Sequence, residues 1–252
     1  MLGRRVSAVV LILGAVSTAL AAQPRPTLRV WTARAIATVL AEVGTQFERT
    51  AGYSLDVSSD LSSGFAGRLA AGEPVDVLIS ASPSIDEWIK QGRIVAETRT
   101  ELARSGIGVE VREGAAKPDI SSVEALKRAL LAAKSIAYLR VGSGNHIHNV
   151  IERLGISEAV RAKVTRPESD IVSELVARGE IELGIVVITQ ILTTPGVALV
   201  GPLPAELQSH ITFTAGVSVS SSAPEAAKQL VKFLSGPAAK AIMQRQGMEP
   251  PN

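Results

Sequence analysis

Residues Leu28–Phe47 read LRVWTARAIATVLAEVGTQF. Leu28 to Trp31 is a short apolar strand. The chain turns through Thr32, Ala33 and Arg34. It then places Ile36, Val39, Leu40, Val43 and Phe47 at the 3/4 spacing of one buried helix face. A strand that runs straight into a helix leaves backbone N–H groups free at the helix start. Together with the helix dipole they attract an anion. This turn therefore reads as half of a ligand-binding cleft.

The residues before it have another purpose. Arg4 and Arg5 form a charged start, Val6 to Leu20 an apolar run, and Ala19-Leu20-Ala21 a small-residue cleavage site. That is a secretory signal peptide over residues 1–21, cut after Ala21 or Ala22, and too short and wrongly flanked for a stable membrane span. The expectation is a soluble protein exported to the periplasm. The chain has no cysteine, so disulfides contribute nothing and the core alone must hold it together.

Without the leader roughly 230 residues remain, enough for one large domain or two lobes. The chain carries 26 basic and 24 acidic residues, and Arg4 and Arg5 account for the whole excess. With no polybasic tract and 3% aromatic residues, nothing favours nucleic-acid binding.

Strand and helix alternate after Phe47. Tyr53–Val57 is a strand, and a polar turn, Ser58–Gly64, leads into a helix over Phe65–Ala71. Val75–Ile79 is a near-continuous apolar strand of the kind buried on both faces. Pro83 opens a helix over Ser84–Gln91. This order predicts an α/β protein with mostly parallel sheets. Ile107–Arg112 departs from the rhythm. Ser121 or Ser122, with Glu124 as a capping-box partner, starts a helix to Ala133. Ser135–Leu139 is a strand, and Gly142-Ser-Gly144 opens a helix to Leu154. Val164 and Thr165 are extended. Ser169 or Asp170 caps a helix over Ile171–Ala177, and Glu182–Val187 is a strand. Thr193–Pro204 is rich in turn residues, with Val197–Val200 as a strand. Ile211–Val219 reads as a return crossing, followed by helices over Glu225–Leu234 and Ala238–Arg245.

Four segments in this order resemble one family: Leu28-Arg-Val-Trp-Thr-Ala33; Ala70-Ala-Gly-Glu-Pro-Val-Asp-Val-Leu-Ile-Ser-Ala81; Ser143-Gly144 ahead of Arg153-Leu-Gly-Ile156; and Leu175-Val-Ala-Arg-Gly-Glu180 ahead of Leu183-Gly-Ile-Val186. The chain resembles the molybdate-binding-protein-like substrate-binding proteins of ABC importers over nearly its whole length after the leader. The resemblance implies a two-lobed periplasmic-binding-protein fold of type II. Each lobe is a mostly parallel sheet flanked by helices, with two crossing strands as the hinge. Lobe one would comprise 27–107 plus 216–252, and lobe two 108–215. It also implies a monomer that captures a small anion between the lobes and delivers it to an ABC transporter permease.

In that family the anion lies among helix starts and small hydroxyl side chains. The first-turn serine of the family falls on Ala35, so that hydroxyl is gone, and its small neighbour falls on Arg34. The second-turn serine falls on Ser62 or Ser63, and the third-turn alanine on Ala81. The lobe-two turn falls on Ser143 and Gly144, and the next helix start on Ile171. The family's tyrosine falls on Val187, which removes a phenol. Two side-chain donors are lost and one guanidinium is gained. An inorganic oxyanion would leave unpaired oxygens there, at about 1–3 kcal/mol each. Arg34, with Arg140 as a second candidate, suits a carboxylate, which guanidinium grips with two parallel bonds. The ligand is thus a molybdate-like oxyanion or a small organic carboxylate, with Arg34 tilting the choice to the carboxylate.

Catalysis has little support in the residues themselves. No serine sits in a Gly-x-Ser-x-Gly elbow, and Gly142-x-Gly144 falls short of a dinucleotide fingerprint. His146 and His148 face different sides of a helix, so neither a paired metal face nor a cofactor is expected. The family resemblance extends to isomerases of small tricarboxylates such as aconitate. That alternative would draw its acid/base group from His146 or Asp170.

Overall fold

A computed structural model describes residues 25–251. The signal peptide lies outside the described residues. In the first half, β1 (Thr27–Thr32) feeds α1 (Arg34–Ala51), β2 (Ser54–Ser59) feeds α2 (Ser62–Ala70), and β3 (Val77–Ala81) feeds α3 (Ser82–Lys90). The long β4 (Thr100–Arg112) leads to α4 (Val123–Ala132), β5 (Ile136–Ala137), α5 (Ser143–Arg153), α6 (Ser157–Val160) and β6 (Val164–Thr165). Next come α7 (Val172–Ala177), β7 (Leu183–Val187), α8 (Ile188–Thr193) and β8 (Val197–Pro202). The chain returns through β9 (His210–Val217) and ends in α9 (Pro224–Leu234) and α10 (Pro237–Arg245).

The sheet order is β2-β1-β3-β9-β4-β7-β5-β6, with β8 also on β4. The parallel ladders expected from the alternation lie at the two ends: β1 with β2 and β3, and β5 with β6 and β7. The crossing strands join them antiparallel. Thr100–Gly106 of β4 pairs with β9, while Ile107–Arg112 pairs with β7 and β8. β9 continues along β3, from Phe213 opposite Ala81 to Val217 opposite Val77. One strand thus serves two lobes, and its register changes partners near Gly106 and Ile107. The sequence pattern began this strand at Ile107. The earlier half was hidden because Glu101 and Arg104 interrupt the apolar run.

Each lobe's sheet is covered on both faces. In the first lobe, Val30, Val77 and Ile79 point to a core with Ile36, Val39, Leu40, Val43 and Phe47 of α1 and with Leu230 and Leu234 of α9. Trp31 and Leu78 point the other way, to Phe65, Ile85 and Trp88. That alternation explains why β3 reads as continuously apolar. The second lobe repeats the scheme, with Ile107, Val109, Ile136, Ile147 and Ile151 on one face and Val172, Val176, Val186 and Ile191 on the other. All five residues of the α1 stripe are buried. Gly52, at φ 74°, ends that helix in the left-handed conformation.

The capping details differ from expectation. Ser122 does cap α4, its hydroxyl accepting from Ala125 N–H at 3.2 Å. The third helical position is Ala125, not Glu124, so no capping box closes. At α7 neither Ser169 nor Asp170 caps. Ile171 is the N-cap residue and has no side-chain cap bond. The helix α8, Ile188–Thr193, had no signal of its own, because it continues an apolar strand without a turn residue between them.

Asp76, from the segment that carried the family resemblance, is a structural tie. It is buried at 1% exposure. Its Oδ2 accepts from Arg29 N–H at 2.8 Å, and its Oδ1 accepts from Ser222 N–H at 2.9 Å and the Ser221 hydroxyl at 2.7 Å. It therefore joins β1 to the turn that opens α9.

Candidate functional site

Five helices begin at the same place. The N-cap residues of α1, α2, α3, α5 and α8 are Ala33, Leu61, Ala81, Gly142 and Val187, and none has a side-chain cap bond. First-turn N–H groups have no acceptor within their own helix, so these starts offer uncapped donors. They face a cavity of about 120 Å³, room for several waters or one small molecule. The cavity lies between the lobes. Arg34, Ala35, Ser62, Ser80 and Ala81 line it from the first lobe, and Ser143, Asp170, Val187 and Gln190 from the second.

Of the residues singled out in the sequence, Arg34, Ala35, Ser62, Ala81, Ser143 and Val187 therefore share one wall-to-wall space. Three others do not line it. Ser63 is exposed, one helical step round from Ser62. Gly144 lies against the chain itself. A Cβ there would stand 1.6 Å from the Leu139 carbonyl oxygen, and its N–H is already donated to Val141 O at 3.1 Å. Ile171 is 39% exposed, and its N–H is spent on Ser169 O at 2.9 Å. Arg140 also lies off the cavity wall, with Glu168 as its ionic neighbour at 3.5 Å. His146 turns away, its Nε2 lying 2.7 Å from the Leu207 carbonyl oxygen.

Arg34 reaches across the cleft. Its Nη1 donates to Glu174 Oε1 of α7 at 2.5 Å. Both side chains are about one-third exposed, so solvent screens the pair and its net stabilisation is about 0–1 kcal/mol. Since one nitrogen meets Glu174, the other edge of the guanidinium is left for a bidentate partner. The hydroxyls of Ser62 and Ser80 lie 2.6 Å apart.

Of two polar groups of the second lobe, Gln190 escaped the sequence reading, and Asp170 entered it only as a helix cap and as the acid/base group of the isomerase alternative. Gln190 stands in the first turn of α8 and is 6% exposed, and its Nε2 is buried without a hydrogen-bond partner. Asp170 lies just ahead of α7, and its Oδ1 is likewise buried and unpartnered. Burial pushes the Asp170 carboxyl above the usual aspartate range. Arg34 and the Gln190 amide pull it partly back, while Glu174 and Asp60 raise it. Gln190 gave no signal because a glutamine inside an apolar run resembles any helix-surface residue.

Behind α7, Glu110 of β4 is fully buried, and Ser173 donates to its Oε1 at 2.9 Å. Burial pushes its carboxyl up to about 7, against the lowering effect of Ser173, with Glu174 and Asp170 raising it further. Glu110 is not part of the cavity wall.

A two-lobed α/β fold with an interlobe cavity walled by helix starts defines a solute-binding class. The chain belongs to the bacterial extracellular solute-binding protein family, whose model matches residues 28–249. It is 32% identical over 237 residues to an aconitate isomerase from a Pseudomonas species, covering 92% of this chain and 90% of that one. It is 27% identical over 247 residues to the molybdate-binding protein ModA of Azotobacter vinelandii, covering 96% of each. The solved periplasmic molybdate-binding protein of that organism has the same fold, with a TM-score of 0.75 at 24% identity over 89% of this chain and 100% of that one. No helix among the described residues is long and apolar enough to cross a membrane.

Proposed function

We propose that this protein is a periplasmic binding protein that captures a small organic carboxylate in the interlobe cavity and delivers it, as a monomer, to an ABC importer. The observation that carries this is Arg34 at the start of α1, lining the cavity opposite Ser143 with part of its guanidinium uncommitted. A guanidinium edge matches a carboxylate in charge and geometry. The donors needed to surround a tetrahedral oxyanion are fewer, because Ala35 and Val187 present methyl groups to the space. Closure turns about β4 and β9, which join the two lobes, and β4 changes partners at Gly106 and Ile107. The leader directs the chain out of the cytoplasm and is removed near Ala21.

Calorimetry with molybdate, sulfate, and mono-, di- and tricarboxylates tests this. The expected result is binding of at least one carboxylate, weakened about tenfold or more in Arg34→Ala. Tight molybdate binding that Arg34→Ala leaves unchanged overturns the reading.

A second reading has its own support. Asp170 is a cavity-lining carboxyl that burial pushes above the usual aspartate range, and a relative that is 32% identical is an aconitate isomerase. In an isomerase, Asp170 would take a proton from one carbon and return it to the far end of the shifted double bond, while Arg34 holds a carboxylate. His146 is not available for this, since its Nε2 lies at the Leu207 carbonyl. Incubation with cis- or trans-aconitate, followed by chromatography, separates an isomerase from a binder.

A further inference from the structure

Much of the cavity wall is apolar, on both sides of the cleft. Leu61, at the start of α2, and Phe213, where β9 runs beside β3, line it from the first lobe. Leu139, just after β5, and Val187, at the end of β7, line it from the second. Leu61 packs against the second-lobe cluster that holds Leu139, and Val187 packs against the first-lobe cluster that holds Phe213. The lobes thus exchange apolar side chains across the space where the guest sits. Water gains little against such a wall, whereas a hydrocarbon group placed there is stabilised in proportion to the area it buries.

Positive charge is scarce on the same wall. Among the described residues Arg34 is the only cation that lines the cavity, and two acids, Asp60 and Asp170, line it as well. One guanidinium nitrogen already meets Glu174, and the free edge takes one carboxylate. The hydroxyls of Ser62 and Ser80 are bonded to each other. A second ligand carboxylate would exchange water for apolar side chains or for like charge, and a buried charge without a partner is costly. Size points the same way. An apolar cavity of about 150 Å³ holds a benzene ring, so about 120 Å³ holds a hydrocarbon body of about four or five carbons. We propose that the ligand is a short-chain monocarboxylate, its carboxylate on Arg34 and its hydrocarbon body between Leu61, Leu139, Val187 and Phe213. This rests on the carboxylate reading and names the other end of the ligand. The four apolar side chains are then specificity-determining, because they select against a second charge.

The test is calorimetry on shape-matched pairs in which an isopropyl group stands in for a carboxylate: 3-methylbutanoate against malonate, and 4-methylpentanoate against succinate. In the wild type the monocarboxylate of at least one pair should bind about tenfold tighter or more, because the diacid must strip water from a charge that finds no cation. Val187→Thr keeps the side-chain shape and puts a hydroxyl on the wall. It should weaken the preferred monocarboxylate about threefold or more and so narrow its lead over the diacid. Thermal melting confirms that the variant folds. A smaller preference in both pairs, or a preference for the diacid, overturns the proposal, as does a preference that Val187→Thr leaves unchanged. In each of these cases carboxylate binding itself stands. If neither these acids nor citrate binds, the carboxylate reading and this proposal both fail.

Discussion

Glu110 offers a direct test of how burial governs this molecule. Its carboxyl is fully buried in β4, one oxygen accepts from Ser173 and the other has no partner. Its pKa is raised from 4.5 to about 7 in the folded chain. Between these values the folded state holds a proton that the unfolded chain has released. Stability must therefore fall as pH rises through this window and level off above about 7. The rise from 4.5 to about 7 corresponds to about 3 kcal/mol. Glu110→Gln removes the titration while keeping an acceptor for Ser173. The variant should be more stable than wild type at pH 8, by up to about 3 kcal/mol, and little different at pH 4.5. Urea denaturation of both proteins from pH 4.5 to 8.5, followed by circular dichroism, gives the difference curve. Parallel stability profiles for the two proteins would show that Glu110 does not hold its proton in the folded state, and the burial argument would be wrong.

Further predictions follow from the packing. Asp76→Ala should cost about 1–3 kcal/mol, because the part-buried N–H groups of Arg29 and Ser222 lose their acceptor. Denaturation midpoints measure it, and a loss below 1 kcal/mol would mean water replaces the carboxylate. Phe65→Ala should cost about 3–5 kcal/mol, as Phe65 is fully buried and stacked on Trp31 at 5.7 Å. Gly144→Ala places a methyl against the Leu139 carbonyl. It should lower the melting temperature by at least a few degrees, from a strain of about 1–3 kcal/mol, and weaken ligand binding by shifting Ser143. Calorimetry of this variant showing wild-type affinity would detach the α5 start from the site.

The sequence by itself determined the elements and their order. The α1 stripe, the doubly buried β3 and the glycine that ends α1 are local in origin, because side-chain periodicity and backbone permissiveness act over a few residues. The family resemblance supplied Arg34, Ala35, Ser62, Ala81, Ser143 and Val187, which all line the cavity, while the local pattern marked only the helix starts. Local reading failed where a role depends on distant neighbours. Ser63 and Gly144 sit beside true wall residues, and only the rotation of α2 and the close approach of Leu139 separate them from the cavity. His146 was a candidate for the cleft until Leu207 placed its ring elsewhere. Gln190, the Arg34–Glu174 pair across 140 residues, and the buried proton of Glu110 carry no local signature. Desolvation and charge pairing depend on what the fold brings within a few ångströms, so tertiary structure alone decided them.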